Sequence, residues 1–451
     1  MKNKKILVLL KFYKGELNPF DASALECALQ TGSLDVTAIT MAPKSVYENF
    51  KSLTRLGVKG VFISDDLYAG SDTLATSNVL AKAVELIAPD VVFCGRQSVD
   101  GDTGQIPPQL AKRLNFNLIT SAMTLNGNVV IGRNGEEKTI ENNTIVAFEK
   151  SYTLRFPSIF SKIKEVETWD NKTLNIPKEE CGLVGSPTKV IKAYESTVGR
   201  RYCTFVSYDD LDKLILEGLN LSKEEKVVDG EKTNGVYYVG GAISQAKTIC
   251  DNPIEIKVDD KSAEDIAKEI TNLNAKIVLF SDEEETKILA SKIAVILNTG
   301  LCADCTSLRI DNGEFIMTRP ALGGNVTADI ICKSTPALAT VRTTKKQGYS
   351  VIFGVGSGAI ERLNDISKLA EKYGAEVCAS RKVVDSGVLP YEKQVGLTGR
   401  TIAPKVYVAF GISGAVQHTS AIEGAVRIIA INEDKNARIF DYADFGIIKK
   451  L

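Results

Sequence analysis

Along the first 120 positions, apolar residues fall into short β-rich runs separated by stretches with helical spacing. "KKILVLLKF" (4–12), "LDVTAITMAP" (34–43), "GVFISD" (60–65) and "DVVFCGR" (90–96) read as strands. "DASALECALQ" (21–30), about 44–56 and a segment from Thr73 read as helices. Strands separated by helices of about ten to fifteen residues predict right-handed βαβ crossovers and a parallel sheet. Residues 121–165 turn β-rich, with "LNGNVVIGRNGEE" reading as a hairpin. The stretch 166–234 is more polar and irregular and carries charge runs such as "SKEEKVVDGEK" (222–232). Alternation resumes at "GVYYVGG" (235–241), "AKIVLFSD" (275–282) and a helix over 284–298, and a third alternating block starts at "YSVIFGVGSGAIE" (349–361). The pattern predicts an α/β protein of three units: 1–195, 235–345 and 346–451, with 196–234 as an arm or linker.

Composition narrows the functional classes. The 451 residues are 44% hydrophobic and 25% charged, with a net charge of −1. That balance offers no broad basic footprint for nucleic acid or an anionic membrane. The longest early apolar run, "ILVLL" (6–10), is too short to span a bilayer and lacks a secretory cleavage pattern. Nine scattered cysteines point to reduced thiols in a cytoplasmic setting rather than to a disulfide framework. Cys302 and Cys305 form one CxxC with no histidine nearby, so they read as buried thiols and no metal is expected.

The only histidine, His418, ends "GISGAVQH" (411–418). "KVYVAF" (405–410) reads as a strand, "GISG" as a tight turn, "AVQHTSAIEGA" as a helix and "VRIIAI" (426–431) as the next strand. This βαβ unit would present a helix N-terminus to a phosphate at the carboxyl edge of a sheet, with the Ser413 hydroxyl beside it. The hydrolase elbow G-x-S-x-G is the rival, but here the second glycine comes one residue early and Ala415 stands in its place.

With its surroundings, this block resembles the flavin domain of the electron-transfer flavoprotein large subunit. The matching runs are Ala379-Ser380-Arg381, "QVGLTGR" (394–400), "GISGAVQH", "AINED" (430–434) and "ADFGI" (443–447), with "TGLCADCT" and "TRPALGGN" (299–325) upstream. The N-terminal half resembles the small subunit in "NPFDASALECAL" (18–29), "AGSDTLATSNVLA" (69–81), "CGRQSVDGDTGQIPPQLA" (94–111) and "GSPTKV" (185–190). The resemblance implies small and large subunits fused in one chain. Its domains would be Rossmann-like (adenine-nucleotide-hydrolase-like) nucleotide-binding folds: 1–195 small-subunit-like, 235–345 a shortened large-subunit N-terminal domain, and 346–451 the FAD domain.

By the same resemblance, FAD is held by Ser380, Arg381, Gln394, Val395, Gly396, Leu397, Thr398, Ser413, Gly414, Ala415, Val416, Gln417, His418 and Asn432. Arg381 is the fixed cation near the ring, His418 a donor to the flavin O2 region, and Thr398 a hydroxyl reaching N5. Gln394 and Gln417 would meet the ribityl chain and Asn432 the adenosine. A second nucleotide, FAD or AMP, would sit on Asp72, Thr73 and Thr76, with its phosphate on Asp102, Thr103, Gly104, Gln105 and Ile106. "AGSDTLATS" and "DGDT" look more like the bifurcating form, which carries a second FAD.

The implied function is that of a soluble electron carrier with no catalytic residue of its own. Donors would be a flavin dehydrogenase such as an acyl-CoA dehydrogenase, or NADH if the protein bifurcates electrons, and an acceptor protein would take the electrons on. The alternative is a non-redox scaffold that binds AMP or docks partners. Departures from the family pattern include Val355 at the arginine of S-G-G-R-G, Glu433 for a usual lysine, and Pro107 for a glycine. "TLRFPSIFSKIKE" (153–165) resembles the small-subunit recognition region, with Leu154 as the expected exposed anchor.

Overall fold

The computed structural model describes residues 1–195, 200–221, 230–324, 326–343, 349–396 and 399–451. They form two compact units. The first comprises Met1–Ala193, Gly230–Leu322 and Ala328–Val341; the second comprises Tyr194–Asp229, Gly323–Thr327 and Arg342–Leu451.

The first unit is built on a nine-stranded sheet. Its order is Val166–Trp169, Lys59–Ile63, Asp35–Met41, Lys5–Leu10, Val91–Gly95, Thr144–Phe148, Asn117–Asn126, Val129–Gly132 and Glu137–Thr139. The pairings are parallel through Asn117–Asn126, and the last two strands complete an antiparallel meander. From Ile6 to Leu10 the strand Lys5–Leu10 is continuously apolar because both faces are covered. Ile6, Val8 and Leu10 pack on one side with Phe93 and Phe148, and Leu7 and Leu9 pack on the other with Val84 and Leu110. Burying each such side chain stabilises by roughly 1.5–3 kcal/mol.

Successive strands run outward from Lys5–Leu10 to one side, and then Val91–Gly95 joins on the other. The carboxyl ends of these two strands therefore flank a topological switch point, the place where open α/β sheets bind ligands. A five-stranded parallel sheet in the same unit orders Ile254–Glu255, Val236–Val239, Ile277–Ser281, Ala337–Val341 and Leu301–Cys305.

The second unit has six parallel strands in the order Thr204–Phe205, Phe445–Ile448, Arg427–Asn432, Val406–Phe410, Val351–Val355 and Glu376–Ala379. Its switch point lies between Val351–Val355 and Val406–Phe410. Within the stretch read as arm or linker, Thr204–Phe205 is an edge strand. The helix Leu211–Leu219 in that stretch buries Leu211, Leu214 and Ile215 in the core of the unit. Residues 196–199 and 222–229 of that stretch lie outside the described residues.

The helix predicted over 415–425 is shorter than expected: Val416–Thr419 makes one turn. The Ala421 carbonyl accepts from Ile402 N–H, and a Cβ on Gly424 would stand 2.7 Å from Ala403 Cβ. The chain leaves the helix there to pack under 402–403. Among the described residues, no helix is long and apolar enough to cross a membrane, and no cluster of three or more His, Cys, Asp or Glu side chains could hold a metal. All nine cysteines are free thiols, and Cys302 and Cys305 are buried.

Candidate functional site

In the second unit, the "GISG" turn follows strand Val406–Phe410 at the switch point. Gly411 and Gly414 have φ of +60° and +87°, where a side chain is strained. A Cβ on Gly414 would also lie 2.1 Å from Ile439 N, so only glycine fits. Beyond the turn, burial alternates: Ile412, Gly414, Val416 and His418 face inward, while Ser413, Ala415 and Gln417 are exposed at the sheet edge. Two polar side chains and a close-lying backbone are thus offered where a pyrophosphate and its sugar chain could bind, and the residues present fit a flavin dinucleotide.

At the end of the edge strand Glu376–Ala379, beyond Val351–Val355, Ser380 stands at the N-cap position of the short helix Arg381–Asp385 without a side-chain capping bond, and Arg381 pairs with Asp385 at 3.2 Å. Gln394 and Val395 are buried, Val395 N–H donates to the Ala379 carbonyl, and Gly396 holds φ of +153°. Leu397 and Thr398 lie outside the described residues.

Asn432 is occupied within the protein. Its amide donates to the Ile412 carbonyl at 2.9 Å and its oxygen accepts from Asp434 N–H at 3.0 Å, which ties the loop to the end of strand Arg427–Asn432. Val355 is fully buried in the core and supplies no charge.

His418 differs most from expectation. It is 5% exposed, with Nε2 2.7 Å from the Tyr407 hydroxyl and Nδ1 3.1 Å from the Val395 carbonyl. A carbonyl only accepts, so Nδ1 carries the proton and Nε2 accepts from the phenol. Burial pushes the imidazole down to about 4, only partly opposed by the Val395 carbonyl. Both ring nitrogens are therefore engaged, and a donor to a flavin is available only if this pairing breaks. Tyr407 and Gly354 went unread in the sequence as members of the site.

In the first unit, a cavity of about 770 Å³ opens at the switch point. Thr103, Gly104, Gln105 and Ile106 line it, together with Asp72, Thr73 and Thr76; Asp102 lines an adjoining cavity of about 60 Å³. Asp72 caps the helix Thr73–Ile87 through Ala75 N–H and also accepts from the backbone and hydroxyl of Thr188. Thr73 donates to Gln105 Oε1, and Gln105 Nε2 donates to the Leu301 carbonyl at 3.1 Å. Asp102 and Gly104 hold positive φ just before the helix Ile106–Leu114, and Pro107 sits in its first turn, where a missing N–H costs no intrahelical bond.

Among the described residues, buried Asn18 Oδ1 and Arg319 Nε, on side chains that line this cavity, have no hydrogen-bond partner, while Arg319 Nη2 donates to the Gly101 carbonyl at 2.7 Å. An acceptor and a guanidinium with a spare N–H in a roomy cavity suit a ligand with donor groups and a phosphate. Arg319 lies in the quoted "TRPALGGN" run, but its spacing alone gave no sign that it would line this cavity. Asp21, beneath the cavity, accepts from Lys11 and Gly95 N–H, and burial nevertheless raises its carboxyl to about 7.

Leu154 is half-buried against the first core, so it is not the exposed anchor expected of 153–165. Phe156, Ile159 and Phe160 in the same segment are 95%, 85% and 86% exposed.

Residues 6–145 and 257–365 each match the electron transfer flavoprotein domain, and 346–423 match the electron transfer flavoprotein FAD-binding domain. The chain is 34% identical over 253 residues to electron transfer flavoprotein subunit alpha of Thermoanaerobacterium thermosaccharolyticum, covering 45% of this chain and 76% of that one. It is 34% identical over 236 residues to Protein FixB of Rhizobium meliloti, covering 41% and 67%. Acryloyl-CoA reductase electron transfer subunit beta of Anaerotignum propionicum is 31% identical over 320 residues, covering 52% and 86%. The chain belongs to the electron transfer flavoprotein family.

Proposed function

We propose that this electron-transfer flavoprotein is a fusion, with a small-subunit-like half at 1–195 and a large-subunit-like half at 235–451 joined through 196–234. The observation that carries this reading is the duplication: two stretches of one chain match the same family domain, ahead of one FAD-binding domain. Bound FAD supplies the ring that takes up one or two electrons. The chain's own part is to hold it. Ser413, Gln417 and the glycine-shaped backbone of 411–414 would face the dinucleotide, and Arg381 would place a permanent cation at the end of the edge strand Glu376–Ala379.

The first-unit cavity takes a second nucleotide. Its phosphate would meet the 102–106 turn, with Arg319 as counter-charge. We favour a second FAD over AMP, because about 770 Å³ is more room than a nucleoside monophosphate fills and because of the likeness to bifurcating sequences.

The donor we propose is a flavin dehydrogenase of the acyl-CoA class, in keeping with the acryloyl-CoA reductase relative. It would dock on Phe156, Ile159 and Phe160. NADH enters as a donor only in the two-flavin form, and an acceptor protein takes the electrons on. Nine unpaired thiols support a reducing, cytoplasmic compartment.

Heat release of the cofactors from purified protein tests the reading. Two FAD per chain without AMP supports it. One FAD with one AMP keeps the carrier role and removes NADH-driven bifurcation. AMP alone would establish the non-redox scaffold instead.

A further inference from the structure

We propose that Cys302 and Cys305 are a dithiol–disulfide couple that small disulfides oxidise through the first-unit cavity, Cys302 being the attacking sulfur and Cys305 the resolving one. The couple stands on the chain's own geometry. Only its competition with a nucleotide rests on the function proposed above.

In a regular strand, residues three apart point to opposite faces. Leu301–Cys305 is not regular: against Ala339–Val341 it carries one extra residue between Cys302 and Cys305. The excess is taken up at Asp304, whose φ of +54° is costly for a residue other than glycine. Two contacts hold it there. Asp304 N–H donates to the Thr340 hydroxyl at 2.8 Å, and its carboxylate pairs with Lys287 at 2.5 Å. Cys302 and Cys305 consequently pack into one apolar cluster, whereas Leu301 packs into the cluster on the other face. Cys305 Sγ comes back to 3.7 Å from the Cys302 carbonyl, and the two thiols share a hydrogen bond. The bulge brings together two sulfurs that a plain strand would separate.

The two differ in access and in charge. Cys302 lines the cavity of about 770 Å³, and Cys305 is buried behind it in the core. The hydrogen bond from Cys305 and the charge of Arg319 hold the Cys302 thiol below its usual range, while burial pushes Cys305 well up. A thiolate at the entrance with a protonated partner behind it is the asymmetry that thiol–disulfide exchange uses.

The Cys302 thiolate, its proton released to solvent, attacks one sulfur of a small disulfide RSSR. An S–S bond forms to Cys302 and one RS⁻ leaves. The Cys305 thiol gives its proton to that RS⁻ and attacks the Cys302 sulfur, and the second RS⁻ leaves and takes a proton from solvent. The pair is thereby oxidised by two electrons and RSSR is reduced to two RSH. In a reducing compartment such a couple rests as thiols and closes transiently. The Leu301 carbonyl accepts from Gln105 of the 102–106 turn, and Arg319 lines the same cavity. A nucleotide bound there covers the entrance and draws on the same cation.

The test treats native, nucleotide-stripped full-length protein with oxidised glutathione, quenches in acid and maps the thiols by mass spectrometry. The expected product lacks two hydrogens, with the link between Cys302 and Cys305. Cys305→Ser should instead keep a glutathione adduct on Cys302, and Cys302→Ser should leave Cys305 unmodified. Both cysteines still free in the treated wild type, or a link mapped to other cysteines, overturns the proposal whether or not the variants fold. An adduct on Cys305 of Cys302→Ser overturns the assigned order of attack. Bound AMP or FAD should slow closure several-fold, and an equal rate with the nucleotide bound overturns the cavity route. Closure of the pair in a protein that binds neither nucleotide would sink the nucleotide reading and leave the couple standing.

Discussion

Acidification should weaken the second unit through His418 alone by an amount that can be worked out. The imidazole is held near 4 in the folded chain against 6.5 for the free group. A base whose folded value is depressed binds fewer protons folded than unfolded. Its stability contribution is intact above about 6.5 and falls as pH drops toward about 4. Linkage gives a loss of about 2 kcal/mol at about pH 5, approaching about 3 kcal/mol in stronger acid. Asp21 works in the opposite direction over the same window. Its carboxyl, raised from 3.8 to about 7, keeps its proton in the folded state while the unfolded one loses it, so its share of stability grows as pH falls. A wild-type curve alone would blend the two. The comparison is therefore wild type against His418→Gln, by calorimetry of the full chain from about pH 8 to about pH 5. Their stability difference should move by about 2 kcal/mol against the wild type, a shift of roughly 4–8 °C for a unit of this size. A difference that stays flat with pH would refute the buried, neutral assignment.

Gly414→Ala should cost at least about 2–3 kcal/mol, because it combines a positive φ with overpacking against Ile439, and should abolish FAD retention; a stable, yellow variant would contradict the turn geometry. Arg319→Gln should weaken nucleotide binding in the first unit by about tenfold to a hundredfold, the value of a charge-assisted hydrogen bond, as read by calorimetric titration of stripped protein; equal affinity removes Arg319 from that site. Phe160→Asp should slow electron transfer from an acyl-CoA dehydrogenase at unchanged flavin content, and an unchanged rate would dissociate this surface from docking.

The periodicity made the sheets legible but not their order. "KKILVLLKF" became Lys5–Leu10 and "DASALECALQ" lies within Pro19–Gln30, since both patterns are local. That Lys5–Leu10 sits between Asp35–Met41 and Val91–Gly95 depends on long-range pairing, which no local pattern encodes. The helix Leu211–Leu219 was missed although "LDKLILEGL" places Leu211, Leu214, Ile215 and Gly218 on one buried face; the charge runs around it hid that signal. At the site, the glycines of "GISG" were readable because strained backbone leaves a mark on residue type. The chemistry of His418 was not, because its partner Tyr407 lies eleven positions away on a strand whose apolar pattern gives the phenol no special standing.

On the function proposed above, residues 346–451 hold FAD that a dehydrogenase can reduce. Full-length protein reconstituted with excess FAD, freed of unbound flavin and mixed anaerobically with a substrate-reduced acyl-CoA dehydrogenase, tests it by the flavin absorbance. At least one FAD per chain is expected, bleached in the presence of catalytic amounts of the dehydrogenase. Protein that stays colourless after reconstitution, or flavin that the dehydrogenase leaves oxidised, would contradict it.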